Sequence, residues 1–324
     1  MGFYFYILIF IFSCLVLSWL SSSLVKSLMQ IARYLQWREF IIAFFVMAMA
    51  ASLPNLFVDL NAALHHLPEL AFGDIIGGNL VDLTLVLAIA VFASRKGISA
   101  ESEMVQKSAM VTAGIAILPL LLVWDSALDR IDGVILIVVF LLYAWWLFSK
   151  KERFKKTYAH AIESPIKGFK GFLVNIIKVI ILLALLLAAS QAVVASAQFF
   201  STALGLSMAM VGILIVGLGN CFPELYFSVV SARKDENWLV LGDLMGSVII
   251  TSTLVLGIVG LVSPFAITNF SPFFTARVFL ITAAIFSLVF IRTDRKITKK
   301  EGLFLLVLYL VFLLAEIALY YGIF

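Results

Sequence analysis

Residues 52–59, Ser52-Leu53-Pro54-Asn55-Leu56-Phe57-Val58-Asp59, return in altered form 169 positions later as Cys221-Phe222-Pro223-Glu224-Leu225-Tyr226-Phe227-Ser228. The same interval relates Gly73-Asp74-Ile75-Ile76-Gly77 to Gly242-Asp243-Leu244-Met245-Gly246. It also relates Thr84-Leu85-Val86-Leu87 to Thr253-Leu254-Val255-Leu256, and Asp132-Gly133 to Glu301-Gly302. One register held across four separate stretches is an internal duplication; chance apolar similarity does not keep a register.

The duplicated unit is a membrane unit. Of 324 residues, 63% are apolar and 13% charged, with 29 phenylalanines. Mean hydropathy is +1.12. Soluble domains are nearer ~45–50% apolar and ~25% charged, which excludes a soluble enzyme, a disordered chain and a nucleic-acid binder. A bilayer core takes about 20 apolar residues per helix, and long apolar runs in lipid are helices because bare strands leave backbone groups unpaired. Ten such runs are predicted: 3–28, 40–64, 70–92, 104–124, 131–148, 172–200, 204–232, 238–262, 273–291 and 303–324. The fold class expected is therefore an all-α polytopic membrane protein, ten transmembrane helices as two five-helix repeats. The repeats occupy residues 1–149 and 172–324, joined by a basic linker at 150–171. The first run has no basic flank and no small-residue cleavage site, so it reads as a retained span.

Basic residues concentrate in the odd-numbered connections, for example Arg33, Arg38, Arg95, Lys96, Lys150, Lys151, Arg233, Lys234, Lys296 and Lys299. The positive-inside rule makes those connections cytoplasmic and both termini extracytoplasmic, in a plasma-membrane protein. An odd number of spans per unit inverts the second unit relative to the first. Inverted repeats with interrupted helices characterise secondary transporters, whose sites lie near the midplane at the repeat interface. The most polar matched stretches, 48–88 and 217–257, are where binding is expected.

Apart from Asp132 at the edge of its run, six acids fall inside the runs: Asp59, Asp74, Asp82, Glu224, Asp243 and Glu316. Basic residues there are scarce, so cations or protons are the expected compensators. Ser52, Asn55 and Asp59 share a helix face by their spacing, as do Cys221, Glu224 and Ser228. Asp74, Gly78 and Asp82 recur at four-residue steps, as do Asp243, Ser247 and Thr251. Pro54 and Pro223 are expected to interrupt their helices and free carbonyls in the preceding turn. Carboxylates, an amide, hydroxyls and carbonyls make an all-oxygen set, which hard cations such as Ca²⁺ and Na⁺ prefer. Glu224 and Asp82, as buried carboxylates without basic neighbours, read as functional. Helix capping or interhelical hydrogen bonding stands beside ion contact for Asp74 and Asp243. Asp59 reads equally as a site member or as facing a water-filled vestibule, Glu316 as peripheral and structural, and His65 and His66 as solvated loop residues.

The motifs Ser52-Leu53-Pro54-Asn55 and Asn220-Cys221-Phe222-Pro223-Glu224 resemble the two repeat signatures of the calcium:cation antiporter superfamily. Gly77-Gly78-Asn79-Leu80-Val81-Asp82 and Gly246-Ser247-Val248-Ile249-Ile250-Thr251 resemble the Gly-Ser-Asn-x-x-Asn segments of its third and eighth helices. The resemblance, which extends over essentially the whole chain, is to archaeal and prokaryotic sodium/calcium exchangers. It implies alternating access by sliding of the first and sixth helices past a core of helices 2, 3, 7 and 8. Carried over position by position, it implies cation ligands Ser52, Asn55, Asp82, Asn220, Glu224, Ser247 and Thr251. Cys221 stands at a family serine position, and Ala48 and Gly217 would offer carbonyls. This chain departs from the pattern: the first-repeat glutamate is Asn55, the preceding threonine is Ala51, and an asparagine of the third helix is Asp82. One carboxylate has in effect moved from Asn55 to Asp82. The function implied is Na⁺/Ca²⁺ exchange with export of Ca²⁺ by a monomer in membrane lipid, with no covalent cofactor. The alternatives are Ca²⁺/H⁺ exchange and exchange of another cation. An intramembrane protease is excluded, since Ala71-Phe72-Gly73-Asp74 lacks the first glycine of a Gly-x-Gly-Asp site.

Overall fold

The computed structural model describes residues 2–34, 39–149, 168–267 and 271–320. Most of the expected linker, residues 150–167, lies outside the described residues. Ten long helical segments follow one another: α1 (Phe3–Tyr34), α2 (Glu39–Leu64), α3 (Pro68–Ala93), α4 (Glu103–Leu122), α5 (Arg130–Ser149), α6 (Gly168–Leu204), α7 (Met208–Arg233), α8 (Asn237–Val262), α9 (Ser271–Arg292) and α10 (Lys299–Tyr320). Nine are long and apolar enough to cross a membrane among the described residues, and α2, with 26 residues, is the tenth. The all-α polytopic class and the five-plus-five organisation follow.

The burial pattern sorts the helices. α3 and α8 are the most enclosed, whereas α1 and α6 turn most of their surface outward. Along α6 the residues Ile177, Ile180, Leu183, Leu185 and Leu187 are exposed, a face suited to lipid. α1 and α6 pack along each other through aromatic rings: Tyr6 stacks on Phe199 with centroids 3.8 Å apart, and Tyr34 on Phe172 at 4.8 Å.

The two repeats interlock at glycines. A Cβ on Gly217 of α7 would lie 2.6 Å from the Gly78 nitrogen and 2.9 Å from the Gly77 carbonyl carbon of α3. Gly212 and Gly73 make a similar approach one turn earlier, at 3.0 Å. Small residues that let backbones touch are how helices associate where lipid offers no hydrophobic driving force. The Asp132-Gly133 and Glu301-Gly302 match has the same origin. Gly133 of α5 fits against Gly257 and Gly260 of α8, and Gly302 of α10 against Ala88 and Val91 of α3. Both helices also open with a reciprocal capping box. The Asp132 N–H donates to Asp129 Oδ1 at 2.9 Å and the Asp129 N–H to Asp132 Oδ2 at 2.9 Å. At α10 the Thr298 N–H donates to Glu301 Oε2 at 2.7 Å and the Glu301 N–H to Thr298 Oγ1 at 3.4 Å.

Four two-residue strands depart from pure helix. β1 (Ile98–Ser99) pairs antiparallel with β4 (Lys296–Ile297), and β2 (Ala127–Leu128) with β3 (Phe265–Ala266). β1 and β4 both lie in odd-numbered connections, and β2 and β3 both in even-numbered ones. Each pair needs its two connections on one face of the protein, as the inverted arrangement provides.

Candidate ion-binding site

Three helices of the core leave regular α geometry, two of them at equivalent positions of the repeat. α3 widens to a π turn at Asp82–Val86 and α8 at the equivalent Thr251–Val255, while α7 does so at Gly212–Val216. π turns leave backbone carbonyls without their usual partner, and hydroxyls take them up. Thr84 donates to the Leu80 carbonyl and Thr253 to the Ile249 carbonyl. This accounts for the threonine that opens the third matched stretch.

α7 also breaks. Its helix stops at Asn220, Cys221 takes a non-helical ψ of 3°, and Phe222–Arg233 resumes with Pro223 in its first turn. The Cys221 N–H turns to the Gly219 carbonyl, tightening the last turn before the break. The expected interruption at Pro54 does not occur: α2 runs unbroken with Pro54 inside it. The reason lies in the preceding turn, which holds Gly217 and Gly219 in α7 but Ala48 and Ala50 in α2. Alanine favours helix over glycine by ~1 kcal/mol per residue, which offsets much of the ~3 kcal/mol that an interior proline costs. Ala48 therefore stays in the helical ladder, and the carbonyl that Pro54 releases is that of Ala50.

The break brings chemistry together. Glu224 is fully buried, Asp82 is 1% exposed, and both sit beside Ser247 and Cys221. Ser247 Oγ donates to Glu224 Oε1 at 3.4 Å, and Cys221 Sγ donates to the Gly78 carbonyl at 3.4 Å. The charges acting on Glu224 are those of Asp82 and Asp243, both negative. Asp82 Oδ1, Glu224 Oε2, Asn55 Oδ1, Ser52 Oγ and Asn220 Oδ1 are all buried without a hydrogen-bond partner among the described residues. Native interiors pair nearly all such atoms, so each of these orphaned oxygens, all on expected ligands, stands out in the core. Carboxylate, amide and hydroxyl oxygens are the donor types a hard cation takes. Among the described residues no three His, Cys, Asp or Glu side chains make a metal cluster on their own.

Other expected residues are placed differently. Thr251 Oγ1 lies 2.8 Å from Asn79 Oδ1 and 2.8 Å from the Ser247 carbonyl, which share its one proton. Asn79 in turn donates to Ser252 Oγ at 2.7 Å, joining α3 to α8. Asn79 was not singled out from sequence, and its counterpart is Val248; the amide in an apolar helix was the available signal. Asn220 Nδ2 donates to Asp74 Oδ2 at 2.6 Å. Asp74 and Asp243 each stand seventh in their helices, too deep for N-terminal capping; for Asp74 the interhelical hydrogen bond is the outcome. Asp59 is 0% exposed and faces Asp74, so it lines no water-filled vestibule. Glu316 is buried in α10 rather than peripheral. His65 and His66 lie exposed after α2, as expected of loop residues.

A duplicated helical core with buried carboxylates and no basic partners is the architecture of an ion-translocating membrane carrier. The chain belongs to the sodium/calcium exchanger protein family, whose model matches residues 5–149 and 174–318. It is 24% identical to the sodium/calcium exchanger MaX1 of Methanosarcina acetivorans, over 90% of this chain and 93% of that one. It is 27% identical to the putative antiporter CaxA of Alkalimonas amylolytica, over 91% and 93% of the two chains. Its fold matches that of the sodium-calcium exchanger NCX_Mj with a TM-score of 0.62 at 24% identity, covering 95% of this chain and 97% of that one.

Proposed function

We propose that this protein exchanges Na⁺ for Ca²⁺ by alternating access, moving Ca²⁺ out of the cytoplasm. The observation that carries the reading is the buried pair Asp82 and Glu224, brought together by the break in α7, each with an oxygen unpartnered among the described residues. Their two negative charges balance one Ca²⁺. Ser52, Asn55 and Ser247 supply further oxygens, Asn220 and the Gly217 carbonyl border the site, and Thr251 braces it through Asn79. Coupling then follows from electrostatics. Two carboxylates stripped of water cannot stay uncompensated while the protein changes face, so each crossing carries Ca²⁺ or its replacement. The similarity to MaX1 and NCX_Mj, both sodium/calcium exchangers, supports the choice of ions.

The basic odd-numbered connections support cytoplasmic placement of the 150–171 linker between the repeats, with both termini outside the plasma membrane. A site enclosed within one chain supports function as a monomer. α1 and α6, joined by their aromatic rings and mostly facing outward, are the elements free to slide.

Reconstitution into liposomes tests the reading. An outward Na⁺ gradient is expected to drive Ca²⁺ uptake, and Glu224→Gln and Asp82→Asn to abolish it. Uptake driven by an outward proton gradient and not by Na⁺ would replace Na⁺ with H⁺ as counter-ion. No uptake with either gradient removes the calcium reading.

A further inference from the structure

We propose that Asp59, Asp74 and Asn220 form a second divalent-cation site, separate from the Asp82–Glu224 pair. Three side chains from three helices meet there: Asp59 from α2, Asp74 from α3 and Asn220 from α7. Asp59 is 0% exposed and the other two 2% each. Asn220 Nδ2 donates to Asp74 Oδ2 at 2.6 Å, and the side chains of Asp59 and Asp74 lie within hydrogen-bond reach of each other. Beyond that contact, neither Asp59 oxygen nor Asp74 Oδ1 accepts from a donor among the described residues. Two enclosed carboxylates this close to each other need positive charge between them. The groups acting on Asp59 and Asp74 are each other and, for Asp74, Asn220, so the cluster holds two acids and an amide. Two carboxylates match the charge of one divalent ion, and oxygen donors favour Ca²⁺ over softer metals.

The cluster is distinct from the first site. Asp74 and Asp82 stand eight residues apart on α3, ~12 Å along a helix at 1.5 Å per residue. Asp74 lies toward the α3 end adjoining the α2–α3 connection. The inverted repeat does not duplicate the cluster: the equivalents of Asp59, Asp74 and Asn220 are Ser228, Asp243 and Ala51, with one acid instead of two. The protein thus carries an extra charged station on one side of its midplane.

The inference rests on the exchange reading only for the identity of the ion, and a binding count separates the two. Purified protein in lipid nanodiscs is equilibrated with radiolabelled Ca²⁺ without Na⁺, and bound ion per chain is counted. Wild type is expected to bind two Ca²⁺. Asp59→Asn and Asp74→Asn, singly or together, are expected to lose one and keep the other; Glu224→Gln is expected to lose the complementary one. Monodisperse elution of each variant establishes folding, and Asp59→Asn, which leaves the Asp74–Asn220 bond intact, covers the case where Asp74→Asn misfolds. If the Asp59 and Asp74 variants bind as many Ca²⁺ as wild type, the second site is wrong while the exchange reading stands. If wild type binds no Ca²⁺, both fall.

Discussion

The Thr251 hydroxyl on α8 reaches across to the Asn79 amide oxygen on α3 at 2.8 Å, and Asn79 answers through its nitrogen to Ser252 at 2.7 Å. This two-way clasp joins the π turn of α8 to the helix that carries Asp82. It exists once, because the repeat places Val248 where a second asparagine would stand.

Breaking the clasp leaves a buried acceptor without its donor, which costs about 1–3 kcal/mol. Thr251→Val is expected to lower the thermal unfolding temperature in detergent, and Thr251→Ser to restore most of it.

At Gly217 the backbones of α3 and α7 leave no room for a methyl group. Overpacking of this kind costs about 1–3 kcal/mol or more. Gly217→Ala is expected to reduce the yield of monodisperse protein. Gly78→Ala, whose nearest neighbour would be Cys221 Sγ at 3.6 Å, is expected to fold normally.

Phe10 of α1 seats its ring against the α7 break. A Cβ on Gly219 would lie 2.5 Å from Phe10 Cζ and 3.2 Å from Cys14 Sγ. Gly219→Ala is expected to push α1 away and raise the maleimide reactivity of Cys14, measured in a Cys221→Ser background. Adding Phe10→Ala is expected to return Cys14 toward its original protection.

Ser247 touches the first site through its hydroxyl alone. Ser247→Ala removes one hydrogen bond to a carboxylate, worth about 1.5–3 kcal/mol when the partner is charged. The expected result is apparent Ca²⁺ affinity at least tenfold weaker in the transport assay, with Na⁺-driven uptake still measurable at high Ca²⁺.

The capping boxes are remote from the ions. Thr298→Ala is expected to cost ~1 kcal/mol of stability, read by thermal unfolding, and to leave Ca²⁺ binding unchanged.

The duplication was legible because each matched residue does a physical task that few alternatives perform: Thr84 and Thr253 satisfy carbonyls at π turns, while Asp132 and Glu301 close capping boxes. The π turns themselves were not legible, since hydropathy has no period that marks one extra residue in a turn. Pro54 and Pro223 looked equivalent, yet only the second follows a break, because helix continuity depends on the alanines or glycines of the preceding turn. Asn220 stood beside Glu224 in sequence, and the turn at Cys221 carried its amide to Asp74 instead. Spacing along one helix predicts shared faces; it does not predict which neighbour on another helix a bent segment will meet.

The miniature sheets have a consequence for how the molecule is made. β1 finds its partner β4 nearly two hundred residues downstream, and α3 receives Gly302 only when the last helix arrives. The first half of the chain leaves the ribosome with an unmated strand and an unfilled notch. Inserting a helix and completing the architecture are therefore separate events in biogenesis, and the second waits for β4 and α10 to be made.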